Sequence, residues 1–332
     1  QLLVDEVLRW HHYTGKAYRL DTLDLTEAAM RKALRSMTDN HLHENAGWSA
    51  YARSVADAMV GFNLSRYFSA LNGVNLPVGR VQTATLGLVC QRDELIEGHK
   101  KTLYYDVTAA LNMAGAAVDT QYVPAKDDAN LTDGRMLNKA YAQSRADMLK
   151  DETLKDVTVT RKTVSEDAPL PFNLGKLTSF CGSKFGYNPQ QVMEITQSLR
   201  EKYKAISYNR TDCQYLTENQ YAESGPTMDA VIQNIGFRPK QLDMSLKSKC
   251  FNDKYTTDSG EAHTAIIPQN IRVNIQSMTE PERKVYLAIC QYYMAQFMPP
   301  AKKEKTVLSV KLKDGGALSA SASKIVEPGY LT

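Results

Sequence analysis

The 332-residue chain lacks most of the features that mark a specialised class. Its five cysteines, Cys90, Cys181, Cys213, Cys250 and Cys290, form no CxxC pair and are too few for a disulfide scaffold. A reducing, cytoplasmic setting is expected. No apolar run approaches the ~18 residues that a membrane span needs, so no membrane partner is expected. Forty Lys and Arg stand against 37 Asp and Glu, a net +3. That excludes a histone-like polycation or an acidic tail, but not a locally basic groove. Internal repeats and low-complexity tracts are absent. So is an initiator methionine: the chain begins at Gln1, and the natural start is expected upstream.

What is present divides by texture. The first hundred residues read as helical. DLTEAAMRKALRSM, from Asp24 to Met37, is rich in helix formers, and Thr26 can cap it. In the stretch that follows, Ala52, Val55, Met59 and Phe62 are spaced for one buried face. Beyond Leu76-Pro77, Val81, Leu88 and Leu95 mark a second apolar stripe, with Val89 and Ile96 beside it and Gly79 at the helix start.

From Leu103 the chain turns β-rich, with a polar helical insert near Met136–Leu149. The same texture returns in KTVLSVKLKDGG and ALSASASKIVEPGYL. One sheet interrupted by another domain fits this arrangement. The interruption, residues 169–298, has prolines at both seams, which fix φ and stop helices. Within it, Leu174, Leu177, Cys181 and Phe185 line one helix. The next starts with Asn188 as cap, Pro189 and Gln191, and carries the stripe Val192, Ile195, Leu199. A last helix starts with a Thr279/Glu282 capping box and runs on Val285, Ile289, Tyr292 and Gln296.

Charge distribution says more than net charge. Between Pro169 and Arg210 six Lys and Arg face Glu194 and Glu201, a local +4, with Tyr187, Tyr203 and Tyr208 interleaved. This basic-aromatic mixture is what a single-stranded nucleic acid groove uses, although a solvated helix face has the same composition. In Ala205–Asp212, an extended backbone puts Tyr208, Arg210 and Asp212 on one face and Ser207 and Asn209 on the other. A phenol is a weak nucleophile at neutral pH, and a permanent cation two residues on can hold a phosphate in line. Packing plus a surface charge is the plainer reading of that spacing. Glu261-Ala262-His263 offers a proton shuttle. Gly79-Arg80-Val81-Gln82-Thr83 offers a glycine-led helix start suited to a phosphate. The His11-His12 and His41-x-His43 pairs lack nearby cysteines and argue against a zinc site.

Taken together, these segments resemble the type IA DNA topoisomerases. VGRVQTATLGLVCQRDELIE is similar to that family's GRVQTPTL…R…I stretch. PLPFNLGKLTSF…SLREKYKAISYNRTDCQYLT resembles its PPPF…LYE…ITY.RTDS block, and EAHTAIIPQN its DAHxAIIPT. ARSVADAMVGFNLSR resembles its AR…AD.L.G.N.(S/T)R helix. The HxAIIP form points to the topoisomerase III subfamily.

The resemblance implies roles. Tyr208 would attack one DNA strand to give a 5′-phosphotyrosine and a free 3′-OH. Arg210 would position the scissile phosphate, and His263 would assist beside the tyrosine. Arg53, Arg66, Arg80, Gln82, Thr83 and Asp212 would contact single-stranded DNA. Cleavage and rejoining are near-balanced transesterifications, so no ATP is needed. Ala84 stands where the family has Pro, and Cys213 where it has Ser or Thr. The family's acidic Mg²⁺ motif, DxDREG, would fall just before Gln1. Mg²⁺ is therefore expected as cofactor of the complete enzyme, with no metal ligand in this chain and little complete relaxation activity from it. Asp5 and Glu6 are not replacements.

The expectation is a mixed α and β, mainly helical, multidomain toroidal core with a β-rich arch. Residues 1–45 would be a metal-binding-domain remnant, 46–100 a helical DNA-binding domain, 101–168 with 299–332 the arch, and 169–298 the gate. The protein would be a monomer acting on single-stranded and on supercoiled or catenated DNA. A catalytically inactive single-strand-binding module with the same fold is the alternative. A tyrosine recombinase would want arginine and histidine boxes ahead of a C-terminal tyrosine, and a relaxase a histidine triad; neither is present.

Overall fold

The computed structural model describes residues 1–20, 27–113, 115–150, 154, 156–256 and 263–331. Two expectations, the Thr26 cap and the Glu261-Ala262 part of the histidine constellation, lie outside the described residues. The chain divides into two compact units, 1–102 and 103–332.

The first unit is helical. It begins with α1 (Leu2–Trp10). Strand β1 (Tyr18–Arg19) pairs antiparallel with β2 (Thr38–Asp39), and α2 (Glu27–Arg35) lies between them in sequence. Helix α3 (Glu44–Asn72) runs 29 residues and ends where Gly73 takes a left-handed φ of 68°, a conformation that glycine adopts without a Cβ clash. Helix α4 (Gln82–Glu97) follows a connector fastened back to α3. Ser65 Oγ accepts the Val78 N–H at 2.8 Å, and Ser69 Oγ accepts the Leu76 N–H at 2.9 Å.

Here two sequence expectations fail. Met59 is 62% and Phe62 72% exposed, Ala52 and Val55 are exposed too, and the α4 stripe of Val81, Leu88 and Leu95 is likewise open, with Val89 and Ile96. The reason is geometric. At about 100° per residue, Val60, Leu64, Tyr67 and Leu71 lie on the side of α3 opposite Val55, Met59 and Phe62. The helix is apolar on two sides, and no described residue covers either. The buried residue of α3 is Gly47.

The second unit holds a five-stranded antiparallel sheet of order β3-β4-β9-β8-β7. Strands β3 (Thr108–Met113), β4 (Ala116–Val123) and β7 (Val157–Glu166) precede the helical segment, while β8 (Ala301–Lys311) and β9 (Ala317–Glu327) follow it. Both β-rich stretches thus share one sheet. β7 and β8 stay in register from Val157↔Val310 to Glu166↔Ala301. A small hairpin, β5 (Leu131–Thr132) with β6 (Arg135–Met136), and helix α5 (Lys139–Leu149) complete this end. Its core includes Val107, Tyr122, Met136, Val310 and Leu318. Asp314, in the β8–β9 turn, accepts from Tyr122 at 2.7 Å and from Arg145 of α5 at 3.0 Å.

The inserted helices are α6 (Leu174–Phe185), α7 (Pro189–Glu201), α8 (Glu218–Ala222), α9 (Ser224–Ile235) and α10 (Glu280–Met294). They enclose a larger core around Leu177, Leu199, Leu216, Tyr286, Ile289, Tyr293 and Phe297. Both expected capping boxes form, Asn188 with Gln191 and Thr279 with Glu282. Each satisfies two N–H groups that a helix start leaves orphaned. The insert's two seams are joined directly: the buried Gln296 amide donates to the Pro169 carbonyl at 2.8 Å.

Candidate active site

The 205–213 segment leaves α7 through a sharp turn. Ala205 donates to the Leu199 carbonyl at 2.9 Å, and Lys204 sits at φ 54°, left-handed and unusual for a side chain with a Cβ. The bonds flanking it hold that conformation. Beyond Lys204 the chain is not a regular strand. It makes one antiparallel bridge, Ile206 with Pro268, and bends at Ser207, Asn209 and Arg210.

Side chains nevertheless alternate as extension requires. Asn209, Thr211 and Cys213 are buried, Arg210 and Asp212 are exposed, and Tyr208 is half-buried. The buried members act as pins. Asn209 Nδ2 donates to Thr196 Oγ1 of α7 at 3.0 Å. Asn173 caps α6 and also donates to the Asp212 carbonyl at 2.7 Å. These pins leave Arg210 facing solvent with no ion-pair or hydrogen-bond partner among the described residues. Its charge is available to an anion.

Ser207 does the corresponding work for the histidine strand. Its N–H donates to the Ile267 carbonyl at 2.8 Å, its hydroxyl donates to the Ala265 carbonyl at 3.0 Å, and the same oxygen accepts the Ile267 N–H at 2.9 Å. On its other flank, Ile266 donates to the Phe172 carbonyl at 2.8 Å. So clamped, the strip delivers His263 to Tyr208, ring centroids 4.0 Å apart at 38°. The guanidinium of Arg200, in the last turn of α7, lies 4.6 Å from the Tyr208 ring centroid, within cation–π range.

Helix α7 is itself anchored through Glu282 at the start of α10. That buried carboxylate accepts from Ser198 at 2.6 Å, from the Thr279 N–H at 2.8 Å and from Tyr203 at 3.2 Å. Burial alone would raise its pKa, but these bonds together outweigh it and hold the carboxyl below its ordinary value.

Tyr208, Arg210, Asp212 and His263 therefore belong to one neighbourhood of the second unit, with Tyr208 and His263 in contact. Arg53, Arg66, Arg80, Gln82 and Thr83 all belong to the first unit and are exposed. Arg80 pairs with Asp57 at 2.9 Å. Thr83 Oγ1 accepts the Gly79 N–H at 3.0 Å, so that group is already occupied and is not offered to a phosphate. Arg80, Gln82 and Thr83 line a cavity of about 590 Å³ with Val60 and Gly61. Sequence reasoning missed Ser207, Arg200, Asn173 and Glu282 as site-shaping residues. Arg200 was marked as one member of the basic excess, Glu282 as half of a capping box and Ser207 as a residue facing away from Tyr208, none of them for a part in the site.

No three His, Cys, Asp or Glu side chains among the described residues stand close enough to hold a metal ion. Among the described residues, then, no acidic cluster is offered to Mg²⁺.

A profile of the DNA topoisomerase family matches residues 41–332, and the chain belongs to that family. Within it the chain is a type IA, topoisomerase III-like member. It is 32% identical over 347 residues to DNA topoisomerase 3 of Salmonella typhimurium, covering 100% of this chain and 52% of that protein. It is 30% identical over 357 residues to DNA topoisomerase 3 of Haemophilus influenzae, covering 99% and 54%. The chain thus spans about half the length of these curated relatives. Full-length topoisomerase I from Thermotoga maritima superposes with a TM-score of 0.65 over 99% of this chain and 52% of that one, at 20% identity, a likeness of fold.

Proposed function

We propose that the whole protein is an ATP-independent DNA topoisomerase whose nucleophile is Tyr208. The phenolic oxygen forms a bond to the phosphorus of one strand as the bond from phosphorus to the 3′ oxygen breaks. The phenol's proton passes by way of His263 to the departing 3′ oxygen, leaving a 5′-phosphotyrosine and a free 3′-OH. Arg210 stabilises the charge that gathers on the phosphate oxygens. The reverse attack reseals the strand after another strand has passed, which relaxes negative supercoils or separates catenanes. The protein acts as a monomer, and the exposed Arg53, Arg66, Arg80, Gln82 and Thr83 bind single-stranded DNA.

One observation carries this reading: Tyr208 lies against His263 and on the same side as the exposed Arg210, which has no partner among the described residues. It is tested with plasmid relaxation by the protein at its natural length. Tyr208→Phe is expected to abolish relaxation and the denaturant-trapped DNA adduct, because the nucleophilic oxygen is gone, while single-strand binding survives. A variant that still forms the adduct would refute the assignment. An unmodified protein that binds DNA but never forms an adduct would instead be the inactive single-strand-binding module.

A further inference from the structure

The histidine pairs near the start of the chain find no use in the chemistry above, yet the first unit brings His12 and His41 into one cavity of about 650 Å³. Its wall also carries Trp48 and Tyr51 from α3, Tyr13, and Arg9 from α1. That volume suits a nucleoside-sized ligand. Gly47 of α3 sits against the Asp5 carboxylate of α1, which a Cβ there would push aside. Trp48 and Tyr51 meet edge to face at 6.1 Å and 87°, and Trp48 is nonetheless 61% exposed. The Arg9 guanidinium lies 6.0 Å from the Trp48 ring, and its terminal nitrogens have no partner among the described residues. His12 is held at φ 49°, a sparsely populated conformation.

Charge decides what fits. Both carboxylates at the cavity are engaged: Asp5 accepts from Gln1 at 2.6 Å, and Glu44 pairs with His41 at 2.6 Å. Asp5 keeps its charge, since its Gln1 partner is a neutral amide, and the wall is aromatic rather than densely cationic. Such a surface recognises the π-face of a base more than a phosphate.

We propose that this cavity takes one unstacked base of single-stranded DNA, stacked on Trp48, with Arg9 reaching the adjoining phosphate. The proposal rests on the DNA-binding reading above and adds a base site that this reading does not contain.

The test is binding of a labelled oligothymidylate to the 332-residue chain, followed by anisotropy over a salt series. Trp48→Ala should weaken binding roughly tenfold without changing the salt slope, because stacking releases no counterions. Trp48→Phe should restore most of the loss. Since the tryptophans are Trp10 and Trp48, a Trp10→Phe chain should show quenching of the remaining indole as DNA is added. Binding unchanged by Trp48→Ala would overturn the base site and leave DNA binding standing. A loss with a shallower salt slope would make it a phosphate contact and likewise overturn stacking. If the unmodified chain binds no oligothymidylate at all, both readings fall.

Discussion

Helices α3 and α10 look alike as sequences, each a run of helix formers with apolar residues at helical spacing, and they meet opposite fates. Helix α10 buries eight residues, among them Val285, Tyr286, Ile289 and Tyr293, and packs on α7. Helix α3 is almost twice as long and buries Gly47. The difference lies in arrangement. The apolar residues of α10 gather on one side, and a core closes over them. Those of α3 fall on two opposite sides, and nothing described covers them. Periodicity therefore identifies a helix, but burial depends on the layer packed against it. The same contrast separates a rigid frame, which holds Tyr208 in place, from an open helical surface that carries the expected DNA-contacting residues.

The largest effect should come from the closed core. Tyr286→Ala or Phe297→Ala removes a fully buried ring and should cost about 3–5 kcal/mol in urea unfolding. A loss of a few tenths would mean that the insert is not packed as described.

Glu282 gives an intermediate effect with a pH signature. Its carboxyl titrates below the ordinary value of 4.5, so its stabilising contribution is complete above that pH and fades as pH falls through the lower folded-state value. Glu282→Gln should destabilise by about 1–3 kcal/mol at neutral pH, and the gap to the unmodified chain should shrink in acid. A gap independent of pH would show that the carboxylate is not held in its ionised form.

The smallest effect should be on the open surface. Phe62→Ala should change unfolding of the chain by no more than about 0.5 kcal/mol, because the ring is already in water. A loss as large as that of Tyr286→Ala would erase the comparison.

Legibility followed the range of the interaction. The capping boxes at Asn188 and Thr279 were readable because cap and partner are three residues apart and the physics is local. The β-rich stretches showed their strands through Val/Thr texture, though not the β4–β9 and β7–β8 pairings that stitch them into one sheet. Tyr208, Arg210 and His263 were named from short patterns, yet the contact of the Tyr208 and His263 rings depends on Ser207, whose hydroxyl reaches a carbonyl 58 residues away. No spacing rule marks such a serine. The exposed faces of α3 and α4 were misread because a stripe says nothing about what will lie against it.

The central claim is that Tyr208 takes the DNA end. It is tested most directly by trapping the covalent complex of the natural-length protein with a labelled oligonucleotide, digesting it, and identifying the modified peptide by mass spectrometry. The expected product is a phosphodiester to the phenol of Tyr208, carried on the 5′ end of the broken strand. Label on Tyr203, Tyr215 or any other residue, or on the 3′ end, would contradict it.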